Sequence, residues 1–285
     1  MLSGVRQGGI CSCWLFNVYM RGLVKKLERS GFGCIMRGPY VGCVLYADDI
    51  MLLSGSLIKL QKMLDICKQF AEDHDFIFNS KKSCCFAFGG GYVVEGISQM
   101  MMGTEFIDWV MECNYLGVRL VAGKTFTTSA ENCRRKFCAA FNDVVINGGF
   151  LSEECLMEVF TKQCIPILMY GAAVWSMSVE AKRKLGVCFN RAIRRIFGYH
   201  DYESVKDILF GFCVLPADLQ MVRAELLLCG AGLRSERGVM KMCACWQRDR
   251  EKLMRVLLLH NVEYDLNKRN INMALWNKFG ERVDW

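Results

Sequence analysis

The sequence predicts an α+β fold: an antiparallel sheet with helices behind it, followed by a mostly α-helical region. Three observations carry this. Two short apolar runs, Val41 to Leu45 and Ile50 to Leu53, flank a polar interruption of hairpin length. Amphipathic helical repeats stand on either side of them. Beyond about Thr127 strand signals thin out and helical periods take over.

From Cys13 to Leu27, the residues Leu15, Val18, Tyr19, Leu23 and Leu27 recur at helical spacing, and Ser12 is placed to cap or precede that helix. Gly31, Gly33, Gly38 and Pro39 mark a loop. The two apolar runs follow, and their continuous apolarity predicts strands buried on both faces. Leu57, Leu60, Leu64, Cys67 and Phe70 define a second amphipathic helix. Phe76 and Phe78, then Cys84, Phe86 and Phe88, alternate as strands around "NSKKS". Gly89 to Gly91 open a turn or linker, and "YLGVRL" from Tyr115 to Leu120 reads as another short strand. Composition puts a single boundary near Thr127.

Composition narrows the class. An apolar content of 53% supports a real core, and a net charge of +7 favours a polyanionic partner. The 17 cysteines are scattered without a CxxC pair, and His74, His200 and His260 lie far from them, which argues against a zinc site. A chain of this length is no disulfide scaffold, so buried free thiols in a reducing compartment are expected. Met1 is followed by "LSGVRQGG", which has no signal-peptide layout. The apolar stretch from Cys164 to Val179 contains Pro166 and is short for a membrane span, so it reads as core.

Asp48 and Asp49 interrupt this apolar pattern. Adjacent residues on a straight strand point to opposite faces, so two neighbouring aspartates converge only where the chain bends. A hairpin turn at Ala47-Asp48-Asp49 supplies the bend. Two unpaired carboxylates between buried strands would be costly, and a divalent cation such as Mg2+ would remove the cost. An ordinary exposed Asp-rich turn is the other reading.

The neighbouring motifs resemble the reverse transcriptases of non-LTR (LINE-type) retrotransposons. "VRQGG" with the following Ser12, Leu15, Phe16, Asn17, Tyr19 and Met20 looks like their motif B, "YADD" (Tyr46 to Asp49) like motif C, "FNSKKS" (Phe78 to Ser83) like motif D, and "YLG" (Tyr115 to Gly117) like motif E. "PILMYGAAVW" and "RAIRRIFG" resemble the segment that follows the polymerase core. The resemblance runs from about Ser3 to Ser235. It implies the C-terminal part of a polymerase palm over 1–125, a thumb-like region over 126–235 and a helical extension over 236–285. It further implies RNA-directed DNA polymerase activity on an RNA template and a DNA primer, with two Mg2+ ions, replaceable by Mn2+, driving nucleotidyl transfer.

Residue by residue, the resemblance makes Asp48 and Asp49 metal-binding catalytic carboxylates and Lys82 a general acid or phosphate contact. A solvated surface lysine is the plain alternative for Lys82. Arg6, Gln7, Gly8 and Gly9 match the loop beside the incoming nucleotide and template, where glycines permit close backbone approach. Without the resemblance Gly8-Gly9 is a helix-leading turn. Tyr46 and Ala47 match positions near the primer end. Tyr115, Leu116 and Gly117 match the primer grip, a role compatible with a core strand beside a turn. Between Phe126 and His200 there are ten Lys and Arg against six Asp and Glu, and Arg191, Arg194 and Arg195 share a helical face. That face either tracks a nucleic-acid backbone or is simply solvated. Trp175, Tyr170 and Phe197 are expected in the core.

Departures from the pattern set the remaining expectations. Fingers strands and a motif A aspartate would precede motif B, and Met1 lies just before it, so this reads as an N-terminally truncated reverse transcriptase. Cys13 stands where the family often has proline. The isolated chain is therefore expected to be inactive, and a non-catalytic retroelement remnant that at most binds nucleic acid is the alternative. The resemblance also implies an intracellular protein with nuclear access, or a cytoplasmic ribonucleoprotein.

Overall fold

The computed structural model describes residues 9–36, 38–89, 98–236 and 268–280. The fold is α+β. The chain divides into two compact units, Met1–Met111 and Glu112–Trp285.

In the first unit, helix α1 (Ser12–Arg29) packs against α2 (Leu57–Asp73), with the hairpin β1 (Cys43–Tyr46) and β2 (Asp49–Leu52) laid on the pair. Ser12 does not cap α1; Cys11 precedes the helix without a side-chain cap. The buried stripe of α1 is Met20, Leu23 and Leu27, joined by the partly buried Phe16. Leu15, Val18 and Tyr19, expected on the core face, are exposed. This helix is apolar on more than one side, so spacing alone does not select the packed face.

Helix α2 buries two faces. Met63, Cys67 and Phe70 meet α1 and the hairpin. Leu64 meets Met100 and Ile107 of a second sheet, formed by β3 (Cys84–Cys85), β5 (Glu105–Trp109) and β4 (Met100–Met102) in that order. Here β3 and β5 run parallel, whereas β4 and β5 are antiparallel. The Gln61 amide acts as a substitute strand partner for β4: its Nε2 donates to the Met101 carbonyl (2.8 Å) and its Oε1 accepts from the Met101 N–H (3.0 Å). The helix ends where Asp75 turns left-handed (φ 54°) and the Phe76 N–H reaches back to the Ala71 carbonyl.

Two strand expectations change. Phe76 and Phe78 lie in no strand; they fold back into the α1–α2 core, stacking edge-on to each other at 5.0 Å. The strand after "NSKKS" is only Cys84–Cys85. The sheets are also small and separate, where one antiparallel sheet was expected.

The loop between α1 and β1 is held by Tyr40. Its ring lies against Gly42, where an added Cβ would come within 2.6 Å of it, and its hydroxyl lies 2.9 Å from where a Cβ on Gly33 would stand. Among the described residues that buried hydroxyl has no hydrogen-bond partner. Burial, with the Cys43 and Cys67 thiols nearby, pushes it up to about 12. An unpaired buried hydroxyl costs about 1–3 kcal/mol. Tyr40→Phe is thus expected to raise the unfolding free energy by about 1 kcal/mol in urea titration; a loss of stability would mean the hydroxyl has a partner.

The second unit begins with an antiparallel sheet, β6 (Glu112–Tyr115), β7 (Val118–Val121) and β8 (Thr127–Ser129). Helices follow, as the sequence predicts: α3 (Glu131–Asn147), α4 (Glu153–Val159), α5 (Ile165–Leu168), α6 (Val179–Ile196), α7 (Lys206–Gly211), α8 (Ala217–Arg234) and α9 (Lys268–Gly280). A π-helical turn, Phe160–Cys164, joins α4 to α5 just before Pro166. Proline lacks the N–H that a regular helix would use there, and the ladder shifts by one residue to accommodate it. Four phenylalanines from three segments, Phe137, Phe141, Phe160 and Phe189, form the centre of this core.

The Cys164–Val179 stretch is core in part: Ile165, Leu168, Ala172 and Trp175 are buried, while Tyr170 and Val174 are exposed. Phe197 is half-buried. Among the described residues no helix is long and apolar enough to cross a membrane. Of the 14 described cysteines, Cys67, Cys133, Cys164 and Cys229 are buried and Cys43, Cys85, Cys138 and Cys188 pack partly buried against the cores, whereas Cys11, Cys84, Cys155 and Cys213 are exposed, unlike the core thiols expected.

Candidate functional site

The carboxylate pair sits where the sequence places it. Tyr46 pairs with Asp49 across the end of the hairpin, leaving Ala47 and Asp48 as a two-residue turn. Ala47 adopts φ 51°, a conformation that costs a residue with a Cβ free energy and is held here by the strand pairing. Both aspartates are exposed.

The hairpin's two faces differ, which corrects the expectation of doubly buried strands. Cys43, Leu45, Ile50 and Leu52 share one face and pack on the α1–α2 core. Val44, Met51, Tyr46 and Asp49 share the other, where Val44 is 42% and Tyr46 64% exposed. No third strand pairs with this hairpin among the described residues, and Val44 and Tyr46 look outward beside the carboxylates. The apolar outer residues hid the period-two alternation that normally betrays a half-buried strand.

The other candidate residues have distinct settings. Arg6, Gln7 and Gly8 lie outside the described residues. Gly9 is half-buried, and its carbonyl accepts the Ser12 N–H (3.1 Å) at the start of α1. Lys82 ends a short 3-10 turn, Ser80–Lys82, and its side chain is exposed. The Asn79 side chain caps that turn by accepting the Lys82 N–H (3.1 Å), and the buried Ser80 hydroxyl anchors it to Glu105 of β5.

Tyr115, Leu116 and Gly117 form the tip of the β6–β7 hairpin, with Tyr115 paired to Val118. Leu116 (φ 48°) and Gly117 (φ 78°) are both left-handed, the geometry of the tight turn that suits strand twist. Tyr170, expected in the core, instead braces this tip: its hydroxyl donates to the Leu116 carbonyl (2.8 Å), and its ring lies 2.9 Å from where a Gly117 Cβ would stand.

The three arginines of α6 have different neighbours. Arg194 Nε donates to the Glu203 carbonyl (2.8 Å) and braces the turn after the helix. Arg195 donates to Asn142 of α3 (2.8 Å) and lies over the Phe141 ring. Arg191 faces Asp201 at 3.6 Å, both exposed, a pairing worth little. Lys184, Cys188, Arg191 and Arg195 recur at spacings of four, three and four along one side of α6. That side meets α3: Lys184 acts on Glu131, Cys188 lies beside Cys138, and Arg195 reaches Asn142. Arg134 and Arg135 stand on the same stretch of α3. Arg134 hydrogen-bonds Glu131 and holds its carboxyl below the ordinary range. The α3–α6 seam thus carries five cations, of which Lys184, Arg134 and Arg135 were not singled out from sequence. The 184–188–191–195 spacing was the available signal.

The resemblance calls for Mg2+, and the donors fit it only in part. Carboxylate oxygens are the right chemistry for a hard cation. Among the described residues, however, no group of three or more His, Cys, Asp or Glu side chains is placed to hold a metal ion. Asp48 and Asp49 therefore offer a partial shell.

Residues 2–120 match the family model described as reverse transcriptase (RNA-dependent DNA polymerase). The match takes in the β1–β2 hairpin, the 3-10 turn with Lys82 and the β6–β7 tip. No curated protein matches the chain significantly.

Proposed function

We propose that this chain carries part of the palm and the thumb-like region of a retrotransposon reverse transcriptase of the non-LTR type, an RNA-directed DNA polymerase. The observation that carries the reading is the tight hairpin that presents Asp48 and Asp49 together on an exposed tip, within a segment matching the reverse transcriptase family model. In this reading Asp48 and Asp49 are metal ligands, and Tyr46 and Ala47 adjoin the primer end. Lys82 contacts phosphate or donates a proton. Arg6, Gln7, Gly8 and Gly9 adjoin nucleotide and template, and Tyr115 to Gly117 grip the primer. Among the α6 arginines, Arg191 and Arg195, which are exposed, suit the nucleic-acid backbone more than Arg194, which is half-buried and held by a carbonyl. A protein that copies RNA into chromosomal DNA requires nuclear access.

Among the described residues the two carboxylates do not assemble a full metal shell, so the chain is expected to bind a primer–template without extending it. The test is fluorescence anisotropy with a labelled RNA-template/DNA-primer hybrid over a salt series. Affinity should fall steeply as salt rises, by roughly tenfold or more for a fourfold increase if several phosphates are contacted. Undetectable binding at low salt would refute the reading. Primer extension in Mg2+ should be absent, and robust extension abolished by Asp48→Ala would overturn the partial-shell conclusion while supporting the polymerase assignment.

A further inference from the structure

Cys138 of α3 and Cys188 of α6 face each other across the seam with their Sγ atoms 3.5 Å apart, fifty residues apart in sequence. Both are half-buried and free. We propose that Cys138 and Cys188 form a peroxide-oxidisable dithiol that closes to a disulfide and ties α3 to α6.

A disulfide needs sulfurs about 2.05 Å apart, so the Cys138 and Cys188 sulfurs must close by roughly 1.5 Å. The seam around the pair is cationic. Arg134 and Arg191 both act on Cys188 in the direction that favours its thiolate. Burial and the neighbouring Cys138 act more strongly the other way and push Cys188 up to about 12, which makes Cys188 the poorer nucleophile, so the first attack is assigned to Cys138.

The reaction balances with a hydroperoxide as oxidant. The Cys138 sulfur attacks one peroxide oxygen of hydrogen peroxide, the O–O bond breaks, and the thiol proton leaves with the departing hydroxide as water. Cys138 is then a sulfenic acid. The Cys188 sulfur attacks the Cys138 sulfur, the S–O bond breaks, and the Cys188 proton leaves with that oxygen as a second water. Two thiols lose two electrons and one peroxide is reduced to two waters. The product spans a loop of fifty residues, and a bridge across a loop that long constrains the unfolded chain strongly. It also fixes the spacing between the cations of α3 and those of α6.

The test treats the reduced full chain with hydrogen peroxide, blocks remaining thiols by alkylation, and identifies cross-linked peptides by mass spectrometry. A linked pair containing Cys138 and Cys188 is expected as the main product, reversed by a thiol reductant. It should form several-fold faster than any link between the exposed Cys155 and Cys213. The oxidised chain should melt several degrees higher than the reduced one. Cys138→Ser and Cys188→Ser should each lose the link and the melting shift while melting normally when reduced. The proposal fails if Cys138 and Cys188 remain alkylatable after oxidation, or if their link forms no faster than that between the exposed thiols. It fails equally if either serine variant retains the melting shift.

Discussion

Phe160→Ala is expected to cost the second unit about 3–5 kcal/mol, the range for removing a fully buried aromatic ring. Phe160 is 0% exposed and lies in the π-helical turn. Its ring contacts Phe137 and Phe141 edge-on, both at 5.9 Å, and Phe189 at 5.6 Å. Two helices, α3 and α6, thus converge on one side chain. Removing it leaves a cavity lined by rings, which cannot collapse without moving α3 or α6. Pro166, six residues on, limits how far the π turn can relax into regular helix. Urea unfolding followed by circular dichroism reads the loss. Phe150→Ala, at an 85% exposed position, should change stability by less than about 0.5 kcal/mol. A Phe160 variant as stable as the Phe150 variant would show that this core is assembled differently.

Gly117→Val should be nearly as damaging, for a different reason. Gly117 sits at φ 78°, where a β-branched residue is strained, and its new Cβ would stand 2.9 Å from Tyr170 Cε1. Tyr170 cannot simply swing away, because its hydroxyl holds the Leu116 carbonyl. A loss of about 2–4 kcal/mol is expected from backbone strain and the displaced ring together. Leu116→Asn should act in the opposite direction by some tenths of a kcal/mol, since Asn tolerates the left-handed conformation Leu116 adopts (φ 48°). If the tip grips a primer, Gly117→Val also weakens hybrid binding at temperatures where the chain remains folded. Equal stability of Gly117→Val and the parent chain would contradict the turn geometry.

How far the sequence reveals this protein depends on the range of the interaction concerned. The β1–β2 hairpin was legible because two apolar runs flank a short polar tip. Its open outer face was not, because Val44 and Met51 are as apolar as the residues packed beneath them. Helix α2 was legible from its strong stripe, whereas α1 was misread because Leu15 and Val18 fit the same spacing as the buried residues. Phe76 and Phe78 alternate like a strand, yet two aromatic rings gain more by entering the α1–α2 core than by pairing with a neighbour. The candidate site divides in the same way. The Asp48-Asp49 turn is a local chain feature and could be placed in advance, whereas Tyr115 to Leu120, read as one strand, is broken by the left-handed turn at the Leu116-Gly117 tip. The bracing of that tip by Tyr170 and the meeting of Cys138 with Cys188 join residues about fifty apart, and no local pattern announces such contacts. Arg194 looked equivalent to Arg191 and Arg195 until the carbonyl of Glu203 was seen to occupy it.

In the proposed function the Asp48-Asp49 turn holds a divalent cation. Paramagnetic Mn2+, titrated into isotope-labelled protein, tests it most directly through the broadening of backbone amide signals. The account predicts that signals around Tyr46 to Ile50 broaden first, well before those at Glu153-Glu154, an exposed pair of adjacent acidic residues outside the site. It further predicts that combined Asp48→Asn and Asp49→Asn substitution removes that preference. Broadening at Glu153-Glu154 equal to that at the hairpin tip, or unchanged by the double substitution, would contradict it.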